Sequence, residues 1–317
     1  MTRIDVLLVG AEEDPLHPRF KAVKAARFIP IERATPSDIR KAKVAFVWSG
    51  ASGSMEAIWA SAPRLQWVHT ASIGVDHLVS ELRGRNIVLT NTVGVFEGPV
   101  AEYVLSLILV AAKGILETAS AQRDHRWHYR AVDALAGASL LVVGFGRIGR
   151  RVVHLANAVG LRTAIVTGGG SMTGSVRGDL VRSRADLDSA LGVADYVVLS
   201  VPLTDRTRGM IGASEFEMMK VGSVLINVSR GAVVDMQALV ANLANGHLAA
   251  AMLDVFPSEP LLSDDPIWDV PNLFISPHMA GDTIGWDDRV ISGFASNLRR
   301  FQQGERLADE IDLERGY

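Results

Sequence analysis

The sequence predicts an α/β protein built on parallel sheets, and three observations carry that expectation. Short β-branched runs alternate with helical stretches along almost the whole chain. Within that alternation, "LLVVGFGRIGRRV" (140–152) sets a strand directly before G-x-G-x-x-G and a helix-period run directly after it. Further on, Arg230, Asp254 and His278 each follow a strand-like run, at the edge where open parallel sheets bind their ligands.

In chain order, the first strands are read at "DVLLV", "RFIPI", "KVAFVW", "QWVHT" and "NIVLT". After Asn91 the rhythm changes. "EGPVAEYVLSLILVAAKGI" opens on Gly98-Pro99, with Pro suited to a first helical turn, and continues as a helix apolar enough to require burial between two bodies of protein. A second strand series follows at "SLLVVG", "TAIVT", "DYVVLS", "SVLINV", "AAAMLDV" and "NLFIS". Ser214 and Glu217 have capping-box spacing, Asp235 is an N-cap candidate with Gly246 closing its helix, and a last helix is read over 283–301.

Composition narrows the function classes. The 317 residues are 48% apolar and 21% charged, with a formal net charge of −3, which gives no electrostatic reason to expect nucleic acid or an anionic membrane. The absence of cysteine removes thiol catalysis, disulfides and thiolate metal sites. The N-terminal apolar run holds Asp5 and is too short for a signal core, and Val104–Ala112 falls far below the ~20 residues of a spanning helix. A cytoplasmic protein is therefore expected.

The glycine loop has the context that dinucleotide binding requires. Gly144 permits the tight turn, Gly146 lets backbone approach a pyrophosphate, and Gly149 lets helix and strand pack closely. Arg147 and Ile148 complete the loop at the helix N-terminus, where the phosphates sit. Downstream, Arg230 offers a permanently charged fork for a carboxylate and its neighbouring carbonyl. His278 titrates by default near ~6.5 and is a candidate proton donor, with Glu259 placed to bond its other ring nitrogen and keep it protonated. Each residue alone has an ordinary reading as a surface cation, a turn or a loop residue. Together, on strand ends facing a phosphate loop, they read as one catalytic set.

These segments resemble the D-isomer-specific 2-hydroxyacid dehydrogenases across nearly the whole chain. The resemblance is carried by "ASIGVDHL", "GPVAEYVLSLIL", "LLVVGFGRIGRRV", "LSVPLTDRTRGMI", "LINVSRGAVVD", "DVFPSEPL" and "SPHMAGDT", in that order. It implies a Rossmann-type doubly wound cofactor domain (97–283) and a discontinuous flavodoxin-like α/β substrate domain (1–96 and 284–317), with the cleft between them. The family's catalytic Arg, Glu and His fall on Arg230, Glu259 and His278. The substrate-carboxylate loop falls on "SIGVD", where Gly74 and Val75 supply backbone N–H groups beside Arg230. The implied cofactor contacts are Val100 on the nicotinamide ring, Asp254 on its carboxamide, Val201, Pro202 and Thr207 along the adenosine, and Val228 with His278. A homodimer through the cofactor domain is implied too, giving Val104–Ala112 a burial site.

The implied reaction is NAD(P)H-dependent reduction of a small 2-oxo acid, of glyoxylate or hydroxypyruvate type, to the D-2-hydroxy acid, and its reverse. Alternatives are a redox-sensing NAD(H)-binding protein like the corepressors of this fold, or a phosphoglycerate dehydrogenase-like enzyme without the regulatory domain. Glu259 argues against formate dehydrogenase, which carries Gln there. No metal is expected: His125 and His128 have pair spacing but no third ligand nearby. Trp48 and Trp286 either wall the substrate pocket or pack between domains. Counting from Gly144, the acidic ribose-binding position falls on Thr167, followed by "GGGSM". Losing that carboxylate removes the repulsion against a 2′-phosphate, and Thr167 and Ser171 remain as donors, with Arg177 able to fold back. NADP(H) is accordingly favoured over NAD(H), against the alternative of loose discrimination.

Overall fold

The computed structural model describes residues 3–10, 20, 23–48, 55–167, 180–183 and 187–317. The chain divides into two compact units, Met1–Phe96 with Thr283–Tyr317, and Glu97–Asp282. The α/β expectation holds in both. Each is built on one parallel sheet.

The first unit carries β1 (Ile4–Val9), β2 (Ala26–Pro30), β3 (Val44–Val47), β4 (Trp67–Thr70) and β5 (Val88–Thr90), in the order β2-β1-β3-β4-β5. This is the flavodoxin-like doubly wound order. All residues of β3 and β4 are buried, as befits parallel strands covered on both faces. Alternation splits them between two cores. Leu7, Val9, Ala45, Val47 and Val68 pack with Trp59, Leu78 and Leu82 on one face. On the other, Phe28, Phe46, Trp67 and His69 meet the ring of Phe294, from the helix Trp286–Gln303. That helix is how the end of the chain rejoins its beginning. The tail follows it onto the sheet edge, where Ile311 N–H donates to Leu89 O.

The second unit carries β6 (Ser139–Val143), β7 (Arg162–Thr167), β8 (Leu180–Ser183), β9 (Tyr196–Leu199), β10 (Val224–Asn227), β11 (Ala250–Leu253) and β12 (Leu273–Ile275). Their order is β12-β11-β10-β9-β6-β7-β8, the Rossmann-type arrangement with its switch point between β6 and β9. Strand β8 is not among the strands expected from the sequence: it is an edge strand, "LVRS", whose Arg and Ser interrupt the apolar run that marks the others.

The long helix runs over Glu97–Lys113 and buries a single stripe, Val100, Ala101, Val104, Leu107, Ile108 and Ala112. That stripe packs within its own unit, on Leu140 and Val142 of β6 and on Val152, Val153 and Ala156 of the helix Arg147–Ala158. Val104–Ala112 therefore does not need a second copy of the chain for its burial, contrary to expectation. The capping box also moves. Helix Ala213–Met218 starts after Gly212, whose N–H donates to Glu215, while Ser214 lies inside the helix. Asp235 caps its helix as expected, accepting from the N–H groups of Gln237 and Ala238, and Gly246 follows its end with φ of 75°.

Candidate active site

The phosphate loop leaves β6 at Gly144, and the helix Arg147–Ala158 begins after Gly146. Two of its glycines answer to the protein itself. A Cβ on Gly149 would lie 2.1 Å from Gly144 O, and one on Gly144 would lie 2.5 Å from Ser200 O at the end of β9. Ser200 Oγ also donates to Gly144 O (2.9 Å), so the two loops flanking the switch point are tied together. Gly146 differs. Among the described residues a Cβ there would meet nothing within 4 Å, and its φ of −73° suits any residue. No described residue demands glycine at this position, and the space in front of the helix is left open. A side chain would fill the cradle where first-turn N–H groups and the positive end of the helix dipole favour a pyrophosphate. The residues present thus fit a dinucleotide. Sequence reasoning missed one feature of the loop, the Arg150 guanidinium lying 4.6 Å over the Phe145 ring.

The loops after β10, β11 and β12 bring the polar set together. Arg230 lies three residues beyond β10 in a turn held by buried Asn227, whose Nδ2 donates to Arg230 O (3.0 Å) and whose Oδ1 accepts from Ser229 N–H. Gly231 then passes so close to the next loop that a Cβ would lie 2.0 Å from the carbonyl carbon of Phe256. On that loop, Glu259 accepts from Phe256 N–H through Oε1 (2.7 Å) and meets His278 Nδ1 through Oε2 (2.7 Å). His278 has φ of 53°, a left-handed conformation that costs a non-glycine residue energy and must be held by its surroundings.

Asp254 does that holding. It is fully buried directly after β11 and accepts from Ser276 Oγ, Met279 N–H and Ala280 N–H, the residues on either side of His278. Asn227 and Asp254 are scaffold residues whose roles depend on partners in other segments, and their only sequence signal is a polar side chain at the end of an apolar strand.

The electrostatics follow from this packing. The hydrogen bond to Glu259 raises the His278 pKa above its ordinary value, against burial and the charge of Arg230. Burial pushes Glu259 up, but hydrogen bonds from His278 and Phe256 N–H, with the Arg230 charge, hold it below the usual carboxylate range. Burial raises Asp282, in the same segment, which feels the charges of both His278 and Asp254. Both shifts favour the carboxylate–imidazolium form of the pair. The ring Nδ1 is committed to Glu259, which leaves Nε2 as the ring position able to exchange a proton with another molecule.

The remaining predicted positions are placed as follows. In the second unit, Val100 lies buried on the long helix, and Val201 and Pro202 leave β9. Thr207 Oγ1 donates to Pro202 O (2.6 Å) and accepts from Thr204 N–H, which closes that loop on itself. Val228 follows β10, and Thr167 ends β7. Ser171, Gly168–Gly170 and Arg177 lie outside the described residues. His128 pairs with Glu117 (3.0 Å). In the first unit, Gly74 and Val75 sit between β4 and the helix Asp76–Leu82. Trp48, at the end of β3, stacks on Trp286 (4.8 Å between centroids, 16° between planes), and Phe96 leans on Trp286 from another side.

The sequence profile described as "D-isomer specific 2-hydroxyacid dehydrogenase, NAD binding domain" matches residues 105–280. The glyoxylate reductase of Aeropyrum pernix is 36% identical over 263 residues, 80% of this chain and 78% of the relative. That of Thermococcus gammatolerans is 32% identical over 290 residues, covering 87% and 86%. Among solved structures, a D-isomer specific 2-hydroxyacid dehydrogenase from Xanthobacter autotrophicus, in complex with NADPH and MES, superposes with a TM-score of 0.85 at 28% identity, over all of both chains. A profile spanning more than half of the chain, relatives matched along most of their length and a shared fold lead to one conclusion: this chain belongs to the D-isomer specific 2-hydroxyacid dehydrogenase family and is an NAD(P)-dependent oxidoreductase.

Proposed function

We propose that the protein reduces a small 2-oxo acid, of glyoxylate or hydroxypyruvate type, to the D-2-hydroxy acid, and catalyses the reverse oxidation. The observation that carries this reading is the Glu259–His278 pair, 2.7 Å apart, in which the ring pKa is raised and the carboxyl pKa lowered, with the Arg230 charge acting on both. A reduced nicotinamide, when bound, would supply the hydride that the carbonyl carbon receives. His278 Nε2 gives its proton to the carbonyl oxygen as that oxygen gains charge, and Glu259 stabilises the imidazolium and fixes the ring. In the oxidative direction the same nitrogen, neutral, takes the hydroxyl proton. Arg230 neutralises the substrate carboxylate and polarises the carbonyl. Gly74 and Val75 give backbone N–H groups to the carboxylate. Glyoxylate reductase is the name borne by the Aeropyrum and Thermococcus relatives, which supports this substrate class.

For the cofactor, the proposal is NADP(H) over NAD(H). Thr167 stands where a carboxylate would bond the ribose 2′-hydroxyl and repel a 2′-phosphate. The chain is further proposed to pair as a homodimer through its second unit, which exposes Trp127 (99%) and Tyr129 (90%). Light scattering on the purified protein tests the pairing, and a monomeric mass at working concentration refutes it. The activity is tested by following oxidation of NADPH and NADH with glyoxylate, hydroxypyruvate and larger 2-oxo acids. Turnover favouring the small acids and NADPH is expected; cofactor binding without turnover of any 2-oxo acid would sink the proposal.

A further inference from the structure

Between β4 and the helix that follows it, the segment 70–75 is anchored from one side, by two residues just after β5. Asn91 Nδ2 donates to Ile73 O at 2.7 Å. Thr92 donates twice, from its hydroxyl to Thr70 O (3.0 Å) and from its N–H to Ser72 O (3.3 Å). On the other flank, Ala71 N–H donates to Val47 O (2.9 Å).

The bond from Asn91 has a directional consequence. Ile73 O and Gly74 N–H belong to one trans peptide unit, in which C=O and N–H point opposite ways. An amide that pulls on Ile73 O therefore turns the Gly74 N–H away from β5.

Beneath this anchor lies a fully buried histidine that the proposed chemistry does not use. His69 sits within β4, and burial drives its pKa down to about 3, so it is neutral. Its two nitrogens face Thr90 Oγ1 (2.7 Å) and Thr92 Oγ1 (3.5 Å). The proton order follows from the ends of the chain. Trp67 Nε1–H donates to Thr90 Oγ1 (2.8 Å), and the Thr92 hydroxyl spends its proton on Thr70 O. His69 Nε2 must then carry the hydrogen toward Thr92, and Nδ1 accepts from the Thr90 hydroxyl. This hydrogen-bonded line cross-links β4 to β5 at the roots of the segment, and only one orientation satisfies every member.

We propose that Asn91 is a positioning residue that aims the Gly74 N–H at the substrate carboxylate, with the buried Trp67–Thr90–His69–Thr92 line fixing the two strand ends from which it acts. The inference rests on the reading that Gly74 and Val75 receive that carboxylate. Asn91 touches no reacting atom. Its effect is on how well a carboxylate is gripped, and so on KM more than on kcat.

The test is steady-state kinetics of Asn91→Ala and Asn91→Asp with the preferred 2-oxo acid and with its uncharged 2-oxo amide, alongside cofactor Kd and Tm. For Asn91→Ala, KM for the acid should rise about tenfold, the scale of a misaligned hydrogen bond to a charged group, with cofactor Kd unchanged. The amide should lose less than about twofold, because no charge depends on the aimed donor. Asn91→Asp, which sets a carboxylate against Ile73 O, should be worse for the acid than Asn91→Ala. Thr92→Val keeps the side-chain shape and carries the same comparison if the Asn91 variants do not fold. Equal losses for acid and amide together with a fall in Tm, or an unchanged KM, overturn the inference while leaving the activity standing. If the unmodified protein turns over no 2-oxo acid, the functional reading itself fails and takes this inference with it.

Discussion

Glu259 Oε2 lies 2.7 Å from His278 Nδ1, while the other oxygen of the same carboxylate is held at 2.7 Å by Phe256 N–H. The carboxylate is thus fixed before it fixes the ring, and the hydrogen bond to it is the largest cause of the raised His278 pKa.

The sign of the pH dependence follows. With His278 as the proposed proton donor, reduction would need the protonated ring, so kcat/KM for reduction should be highest at low pH and fall as pH rises through the raised pKa, above the ordinary ~6.5. Glu259→Gln removes the charge and should move that falling limb toward lower pH, while lowering the plateau. Oxidation needs the neutral ring and should show the opposite slope. Superimposable pH profiles for Glu259→Gln and the unmodified protein would contradict the pairing argument.

The phosphate loop separates two glycines of different purpose. Gly146→Ala places a methyl in the open cradle and should weaken cofactor Kd by about tenfold or more with little change in Tm. Gly149→Ala drives a methyl into Gly144 O, 2.1 Å away, and should lower Tm strongly, the backbone having to shift to accept it. Thermal melts with and without cofactor distinguish the two. Equal destabilisation by both variants contradicts the division.

Much of this was legible in the sequence because it depends on local pattern. Short β-branched apolar runs marked the strands, G-x-G-x-x-G marked the turn after β6, and polar groups at the ends of "SVLINV", "AAAMLDV" and "NLFIS" marked one sheet edge. The unread parts depend on distant partners. Strand β8 exists by pairing with β7 and has no continuous apolar run of its own. Gly212 forms a box with Glu215 through its backbone N–H alone, which no Ser or Thr rule detects. The helix from Glu97 reads as apolar on most faces, yet the apposed surfaces of its own unit select one stripe. The resemblance gives Asp254 a contact to the nicotinamide carboxamide, but its bonds to residues 22 to 26 positions away, which hold the loop of His278, have no local sequence signal.

His69 gives a stability prediction with a definite sign. Unfolded, it binds a proton below about pH 6.5; folded, it stays neutral down to about 3. Below pH 6.5 the unfolded chain therefore binds one more proton than the folded one, and this group alone lowers stability by about 1.4 kcal/mol per pH unit until the folded pKa is reached. His69→Gln, neutral throughout, should lack that component. Urea midpoints at several pH values should converge in acid and diverge toward neutrality, where the replaced hydrogen bonds cost the variant stability. Parallel curves at all pH values would show that His69 is not the group being titrated.

The proposed preference for NADP(H) rests on what Thr167 lacks. It ends β7 at the position where a carboxylate would accept from a ribose 2′-hydroxyl and repel a 2′-phosphate. Thr167→Asp restores both effects at once, so affinity for NADH should rise and that for NADPH should fall. A charge-assisted hydrogen bond gained on one cofactor and a repulsion added on the other should shift the ratio of their kcat/KM values by about 10- to 100-fold toward NADH. Thr167→Val, which keeps the shape and removes the hydroxyl, should weaken NADPH without strengthening NADH. If Thr167→Asp leaves the ratio unchanged, the end of β7 does not read the ribose in this protein, and selectivity has to come from another segment.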